Sequence, residues 1–143
     1  MLKVVFDTVV FVRSLINPYS WWGKIIFQHS DHYRLFVSQL TLQEVFEVLQ
    51  RPEITSLFHS LEGLDKRRMI EIITEAETVE ISDVPAVSRD IKDDKFLATA
   101  KTAGAHYLVS ADRDLLDLKE YEGVKVVTAE EFLQIFKEYK NTL

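Results

Sequence analysis

Apolar positions along the chain follow two periods. Leu2 to Phe6 is a near-continuous apolar run broken only by Lys3, the pattern of a strand covered on both faces. Val9 to Leu15 then runs at helical spacing. Ser20 to about His29 predicts a second helix, with Trp21, Trp22, Ile25, Ile26 and Phe27 on a broad apolar face. Arg34 to Ser38 predicts the second strand. Thr41-Leu42-Gln43-Glu44 has capping-box spacing, and the helix it opens is lined by Val45, Phe46, Val48 and Leu49 and closed by Arg51–Pro52. Two helical stretches follow, Glu53 to Leu61 and Leu64 to about Glu77. A third strand is expected over Val79 to Ser82, then a loop from Asp83 to Ile91 containing Pro85.

The next stretch organises the rest. Phe96, Leu97 and Ala100 recur at helical spacing after the pair Asp93–Asp94, and Gly104 stops that helix as a left-handed C-cap residue does. Tyr107 to Val109 is a strand's length of apolar chain, which delivers Asp112 and Asp114. Val124 to Val127 gives a last strand. Thr128-Ala129-Glu130-Glu131 is another capping box, opening a terminal helix through Phe132, Leu133, Ile135, Phe136 and Tyr139. Strands alternating with helices predict an α/β fold, a three-layer α/β/α sandwich around a central parallel sheet of about four to five strands. No repeat, low-complexity tract or linker interrupts residues 1–143, so one domain is expected.

Composition narrows the function classes. Of the 143 residues 47% are hydrophobic and 28% charged, which describes a globular chain with a real core. No apolar run reaches the roughly 18 residues of a membrane span. The absence of cysteine excludes disulfides and thiolate metal sites, and fits a reducing, cytoplasmic setting. A net charge of −6 argues against holding nucleic acid by bulk electrostatics, yet it allows an acidic site that recruits metal first and phosphate second.

That site can be sketched from the strand exits. In a parallel sheet ligands bind beyond the carboxyl ends of the strands. Asp7 follows the first strand and Glu44 is expected in the first turn of the helix after the second. Asp93 and Asp94 open the helix after the third strand, and Asp112 and Asp114 follow the fourth. Right-handed crossovers bring all of them to one edge. Each also has a structural explanation: Asp7, Asp93, Asp112 or Asp114 as an N-cap, Glu44 as a capping-box partner. Converging carboxylates repel, and a hard divalent cation, Mg²⁺ or Mn²⁺, resolves the repulsion and bridges to phosphate. The chemistry implied is metal-assisted hydrolysis of a phosphate ester.

VVFDT at the start, SQLTLQEVFEVLQRP in the middle and DDKFLATAKTAGAHYLVSADRDLL later resemble the PIN domain (PilT N-terminus), and are most similar to its stand-alone, VapC-like toxin components. The resemblance covers essentially the whole chain. It implies a metal-dependent endoribonuclease cutting single-stranded RNA, often dimeric and often held inactive by a cognate antitoxin. Carried over by motif, Asp7, Glu44, Asp94 and Asp112 are the catalytic metal ligands. Asp94 directly precedes the K-x-L-A helix and is preferred over Asp93, which then caps it. Asp114 is a supporting or alternative fourth acid, and Thr8, Ser110 and Asp93 surround the ligands. Similar members read Asp-Thr-Asn after the first strand, whereas this chain has Val9. An Asn there would order the loop under Asp7, so its replacement bears on turnover more than on fold.

Lys92, Lys95 and Arg113 flank the acidic edge and can meet RNA phosphates. His29 and His32 have a metal spacing but no third ligand nearby, and His106 is expected at a strand edge. Trp21 and Trp22 suit the core or a homodimer contact better than base stacking. Two rival readings remain: a fold-only interaction module whose acids are caps, and a haloacid-dehalogenase-type phosphatase with Asp7 as nucleophile. The second needs another Asp two residues on, where Val9 stands.

Overall fold

The computed structural model describes residues 1–59 and 63–142. Its centre is β1 (Leu2–Phe6), flanked on one side by β2 (Tyr33–Val37) and on the other by β4 (Tyr107–Val109). Both neighbours run parallel to it, with Val4 beside Leu35 and Val5 beside Leu108. The full sheet has six strands in the order β3-β2-β1-β4-β6-β5. It is larger than the expected sheet and not wholly parallel, because β5 (Glu120–Tyr121) pairs antiparallel with β6 (Val124–Val127) as an edge hairpin.

The apolar run of β1 is explained by two cores. Val4 and Phe6 face one, with α1 (Thr8–Ile16), α5 (Leu64–Glu75) and α8 (Ala129–Asn141). Val5 faces the other, packed by Phe96, Leu97 and Ala100 of α6 (Asp94–Ala103). Every second residue therefore changes layer, as the pleat requires. Phe6 sits edge-on to Phe11, Tyr33 and Phe132, with ring centroids 5.5–6.4 Å apart. The mixed α/β sandwich, with its mostly parallel sheet between helical layers, is the architecture expected from the alternation.

Several boundaries differ from expectation. The segment after Ser20 opens as α2 (Trp21–Gly23) and then widens into a π-helical turn over Lys24–Gln28, which tucks Ile25 and Ile26 into the core. The helix α3 (Gln39–Leu49) starts earlier than its apparent capping box. Ser38 is the N-cap, its hydroxyl accepts from Thr41 N–H, and Thr41 Oγ1 accepts from Ser38 N–H. Glu44 consequently lies in the second turn. Pro52 begins the short α4 (Pro52–Thr55), as well as ending what precedes it. The helix expected over Glu53 to Leu61 stops at Thr55: residues 56–59 form a turn and bend, with His59 N–H donating to the Leu15 carbonyl at 2.7 Å, and only positions 60 and 61 lie outside the described residues.

The strand expected over Val79 to Ser82 is instead β3 (Glu77–Thr78). It is pinned by the paired hydrogen bonds of Arg34 to Glu77, at 2.8 and 2.7 Å, and by Val79 N–H to Val37 carbonyl at 2.8 Å. Gly104 has φ 64°, the left-handed C-cap conformation anticipated for it, and Thr128 with Glu131 forms a capping box at α8. No described helix is long and apolar enough to cross a membrane.

Candidate metal centre

Strand order reverses direction at the gap between β1 and β4, because β2 leaves β1 on one side and β4 joins it on the other. Open parallel sheets bind ligands at such a point, beyond the carboxyl ends of the strands. Asp7 stands there, one residue past Phe6, and is buried. Its Oδ1 accepts from Val10 N–H at 3.1 Å, which makes it the N-cap of α1. Its Oδ2 accepts a short hydrogen bond from Ser110 Oγ and a longer one from Ala111 N–H at 3.3 Å. Ser110 also accepts from Asp112 N–H at 2.9 Å, so one hydroxyl ties the ends of β1 and β4 to the acidic turn.

Asp112 in turn caps α7 (Arg113–Leu116), its Oδ1 accepting from Asp114 N–H at 2.8 Å. Burial, opposed by the hydrogen bonds from Ser110, Val10 and Ala111, leaves the Asp7 carboxyl pushed up to about 6, with the Asp112 charge adding to the rise. Asp93 is pushed further, to about 7, first by burial and then by the facing Asp112, with Asp90 and Asp7 contributing. Asp7 and Asp93 are thus both raised in part by the charge of Asp112. Carboxylate oxygens of Asp90, Asp93 and Asp114 lie within 4.8 Å of one another, the one group of three acids this close among the described residues, and Asp7 and Asp112 join it through the field they place on Asp93.

Asp93 occupies the N-cap position of α6, but its carboxylate makes no cap hydrogen bond. Its Oδ2 is buried with no partner. Asp94 is buried at 1% exposure and turns its Oδ1 to Ser88 N–H at 2.7 Å, while its Oδ2 also lacks a partner. Asp94 thus fastens the loop before α6, and Asp93 is the member of the pair that faces the other acids. Two unpartnered buried carboxylate oxygens at one sheet edge are costly unless a cation satisfies them. The donor set is all oxygen, which suits Mg²⁺ or Mn²⁺.

Glu44 is differently placed. Its Oε2 accepts a short hydrogen bond from Thr8 Oγ1, and its Oε1 pairs with Lys95 Nζ at 2.7 Å. Lys95, expected to be open to phosphate, is therefore occupied by Glu44. Lys92 and Arg113 are exposed, and no ion pair holds either among the described residues. Val9, half-buried, stands in the first turn of α1 and offers no donor to Asp7. The histidines lie elsewhere: His29 and His32 pack on Phe136 with centroids 4.9 and 6.0 Å away, and His106 accepts from Lys3 N–H at its strand edge. Lys24 lies over Trp21, 4.9 Å from the ring centroid.

Reading the sequence missed Asp90 and Arg89. Asp90 accepts from Lys92 N–H at 3.0 Å and opens a 3-10 turn over Ile91–Asp93 that carries it beside Asp93. Arg89 bridges Asp114 at 3.0 Å and Asp117 at 2.5 Å, buttressing the outer acids. The signal was the i, i+3 spacing of Asp90 from Asp93, across the end of a segment read as loop and the start of the helix after it.

A family model described as PIN domain matches residues 3–114. An uncharacterized protein from Methanocaldococcus jannaschii, MJ1680, is 27% identical, with 96% of this chain and 94% of that protein aligned. The crystal structure of PAE2754 from Pyrobaculum aerophilum superposes with a TM-score of 0.59 at 18% identity, covering 96% of this chain and 90% of the other. VapBC2 from Rickettsia felis, solved bound to a DNA fragment from their promoter, gives a TM-score of 0.55 at 11% identity over 87% of this chain and 97% of that one. At these identities the two solved structures bear on fold alone.

Proposed function

The chain belongs to the PIN-domain family, whose members are typically metal-dependent nucleases, and on that premise we propose that it is a Mg²⁺- or Mn²⁺-dependent endoribonuclease acting on single-stranded RNA. The observation that carries the reading is the unpartnered, buried Oδ2 of Asp93, set among Asp7, Asp112, Asp90 and Asp114. Asp7, Asp93 and Asp112 would hold the cation. Asp114 and Asp90 support it from outside, Asp94 fixes the loop that presents Asp93, and Glu44 forms the far margin with Thr8. When bound, the cation supplies an activated water and neutralises charge developing on the phosphodiester.

The chain's own groups do the rest. Ser110 and the amides of Val10 and Ala111 orient the Asp7 carboxylate, so that both of its oxygens are directed before substrate arrives. Lys92 and Arg113 meet RNA phosphates at the rim. A phosphatase mechanism with Asp7 as nucleophile is less well supported, because these three donors hold its oxygens and Val9 supplies no acid. The fold-only reading explains Asp7 and Asp112, which do cap helices, but leaves Asp93 without a role.

The resemblance of the motifs to VapC-like toxin components, on a fold shared with VapBC2, supports reading the protein as the toxin of a toxin–antitoxin pair, with an antitoxin as partner and cytoplasmic RNA as target. Exposed Trp21 is a natural homodimer contact, checked by sedimentation: a pure monomer would remove it. The metal reading is tested by thermal melting in Mn²⁺ and Mg²⁺. A specific site raises Tm with ion concentration by mass action, and an unchanged Tm contradicts it.

A further inference from the structure

The hydrogen-bond donors divide the acids of this edge into two classes. Asp93 and Asp94 each keep a buried carboxylate oxygen without a partner. Glu44 keeps none: Thr8 Oγ1 donates to Oε2, and Lys95 Nζ lies 2.7 Å from Oε1. The Lys95 and Glu44 side chains are 19% and 25% exposed, so the pair is largely withdrawn from water, where exchange with a dissolved cation would be easy. Lys95 is further held over the Phe96 ring, 5.7 Å from its centroid. It belongs to the first turn of α6, immediately after Asp93 and Asp94, and therefore reaches Glu44 from the same helix end that presents those acids.

A Mg²⁺ ion on Glu44 would sit about 2.0–2.1 Å from the carboxylate oxygen. The ammonium already occupies that approach, and two cations cannot share it without strong repulsion. Resting on the nuclease reading above, we infer that Lys95 is the built-in cation of the Glu44 arm, so that the site takes one divalent ion, at Asp93, and not two. Lys95 is a positioning residue in this account: it acts through Glu44, fixing both the charge and the ion count of the site.

The test is Mn²⁺ stoichiometry on the full chain, by calorimetric titration and by electron paramagnetic resonance. Variants are Lys95→Met, Lys95→Arg and the double variant Glu44→Gln with Lys95→Met, with circular dichroism reporting fold. The expected result is one Mn²⁺ per wild-type chain, one for Lys95→Arg, two for Lys95→Met, and one again for the double variant. Two ions on the wild type, or one on a folded Lys95→Met chain, overturns the inference while leaving the Asp93 site standing. No ion on the wild type overturns the nuclease reading itself, and the inference with it. If Lys95→Met does not fold, the wild-type count alone decides.

Discussion

Ser110 donates to Asp7 across 103 residues of sequence, and that hydrogen bond joins the carboxyl ends of the two central strands. It is what makes Asp7 part of a site as well as a helix cap. Removing the hydroxyl would leave a buried carboxylate oxygen with one long contact, to Ala111 N–H. Ser110→Ala should destabilise the chain by about 1–3 kcal/mol, measured by denaturant unfolding. A cost below a few tenths would mean the bond is not formed.

Asp7 gives the apo protein a pH signature. Its carboxyl is raised from 3.8 to about 6 on folding, so between those values the native state holds a proton that the unfolded state has lost. Stability therefore falls as pH rises through that window, and the deficit persists above it, at roughly 3 kcal/mol. Asp7→Asn should flatten this part of the profile in chelator. A wild-type profile that instead gains stability between pH 4 and 6 by more than the variant's would contradict the assignment.

Asp93, raised to about 7, adds to the same trend. A cation must displace those protons, so Mn²⁺ affinity should climb steeply from pH 5 to pH 8 and proton release should be measurable by calorimetry in two buffers. Asp93→Asn should melt higher than wild type in chelator at pH 8, gain little at pH 5, and lose Mn²⁺ stabilisation. An Mn²⁺ response equal to wild type would move the site away from Asp93.

Lys92 and Arg113 are exposed, so truncating either should leave Tm unchanged. If they meet phosphates, Lys92→Ala and Arg113→Ala should each weaken RNA binding several-fold and lower the salt slope by about one. Fluorescence anisotropy at three salt concentrations checks this. Unaltered affinity and slope would leave both as solvated charges.

Gly23 packs against Pro18: a Cβ there would lie 2.1 Å from the Pro18 carbonyl oxygen. Backbone cannot yield as a side-chain tip does. Gly23→Ala should cost about 1–3 kcal/mol and leave the acidic edge untouched. Denaturant unfolding compares it with wild type, and an undiminished midpoint would mean the π-helical turn is not formed as described.

The sandwich was legible because each element declares itself locally. Leu2–Phe6 reads as a two-faced strand, Gly104 as a stop and Thr128–Glu131 as a box, with no need of partners. What failed depends on distant contacts. Ser38 and Thr41 compete for the start of α3, and the choice is made by Ser38, whose hydroxyl also bonds Thr99 at 2.8 Å. Glu77 becomes the strand in place of Val79–Ser82 because Arg34 grips it, a pairing invisible along the chain. In the acidic edge, the sequence places Asp7 and Asp112 at strand ends by topology. It does not say which of two adjacent aspartates meets the charge of Asp112. The 3-10 turn before α6 rotates Asp93 toward Asp112 and Asp94 toward Ser88, and nothing in the motif carries that rotation.

Cleavage of a labelled single-stranded RNA pool in Mn²⁺, with and without chelator, by wild type, Asp93→Asn and Asp94→Asn decides whether the acidic edge is a nuclease site. Wild type should make chelator-sensitive cuts, Asp93→Asn should lose on the order of 100-fold or more, and Asp94→Asn should lose about 10–100-fold through the loosened loop. No cleavage by the wild type, or cleavage that survives both chelator and Asp93→Asn, would contradict the nuclease reading.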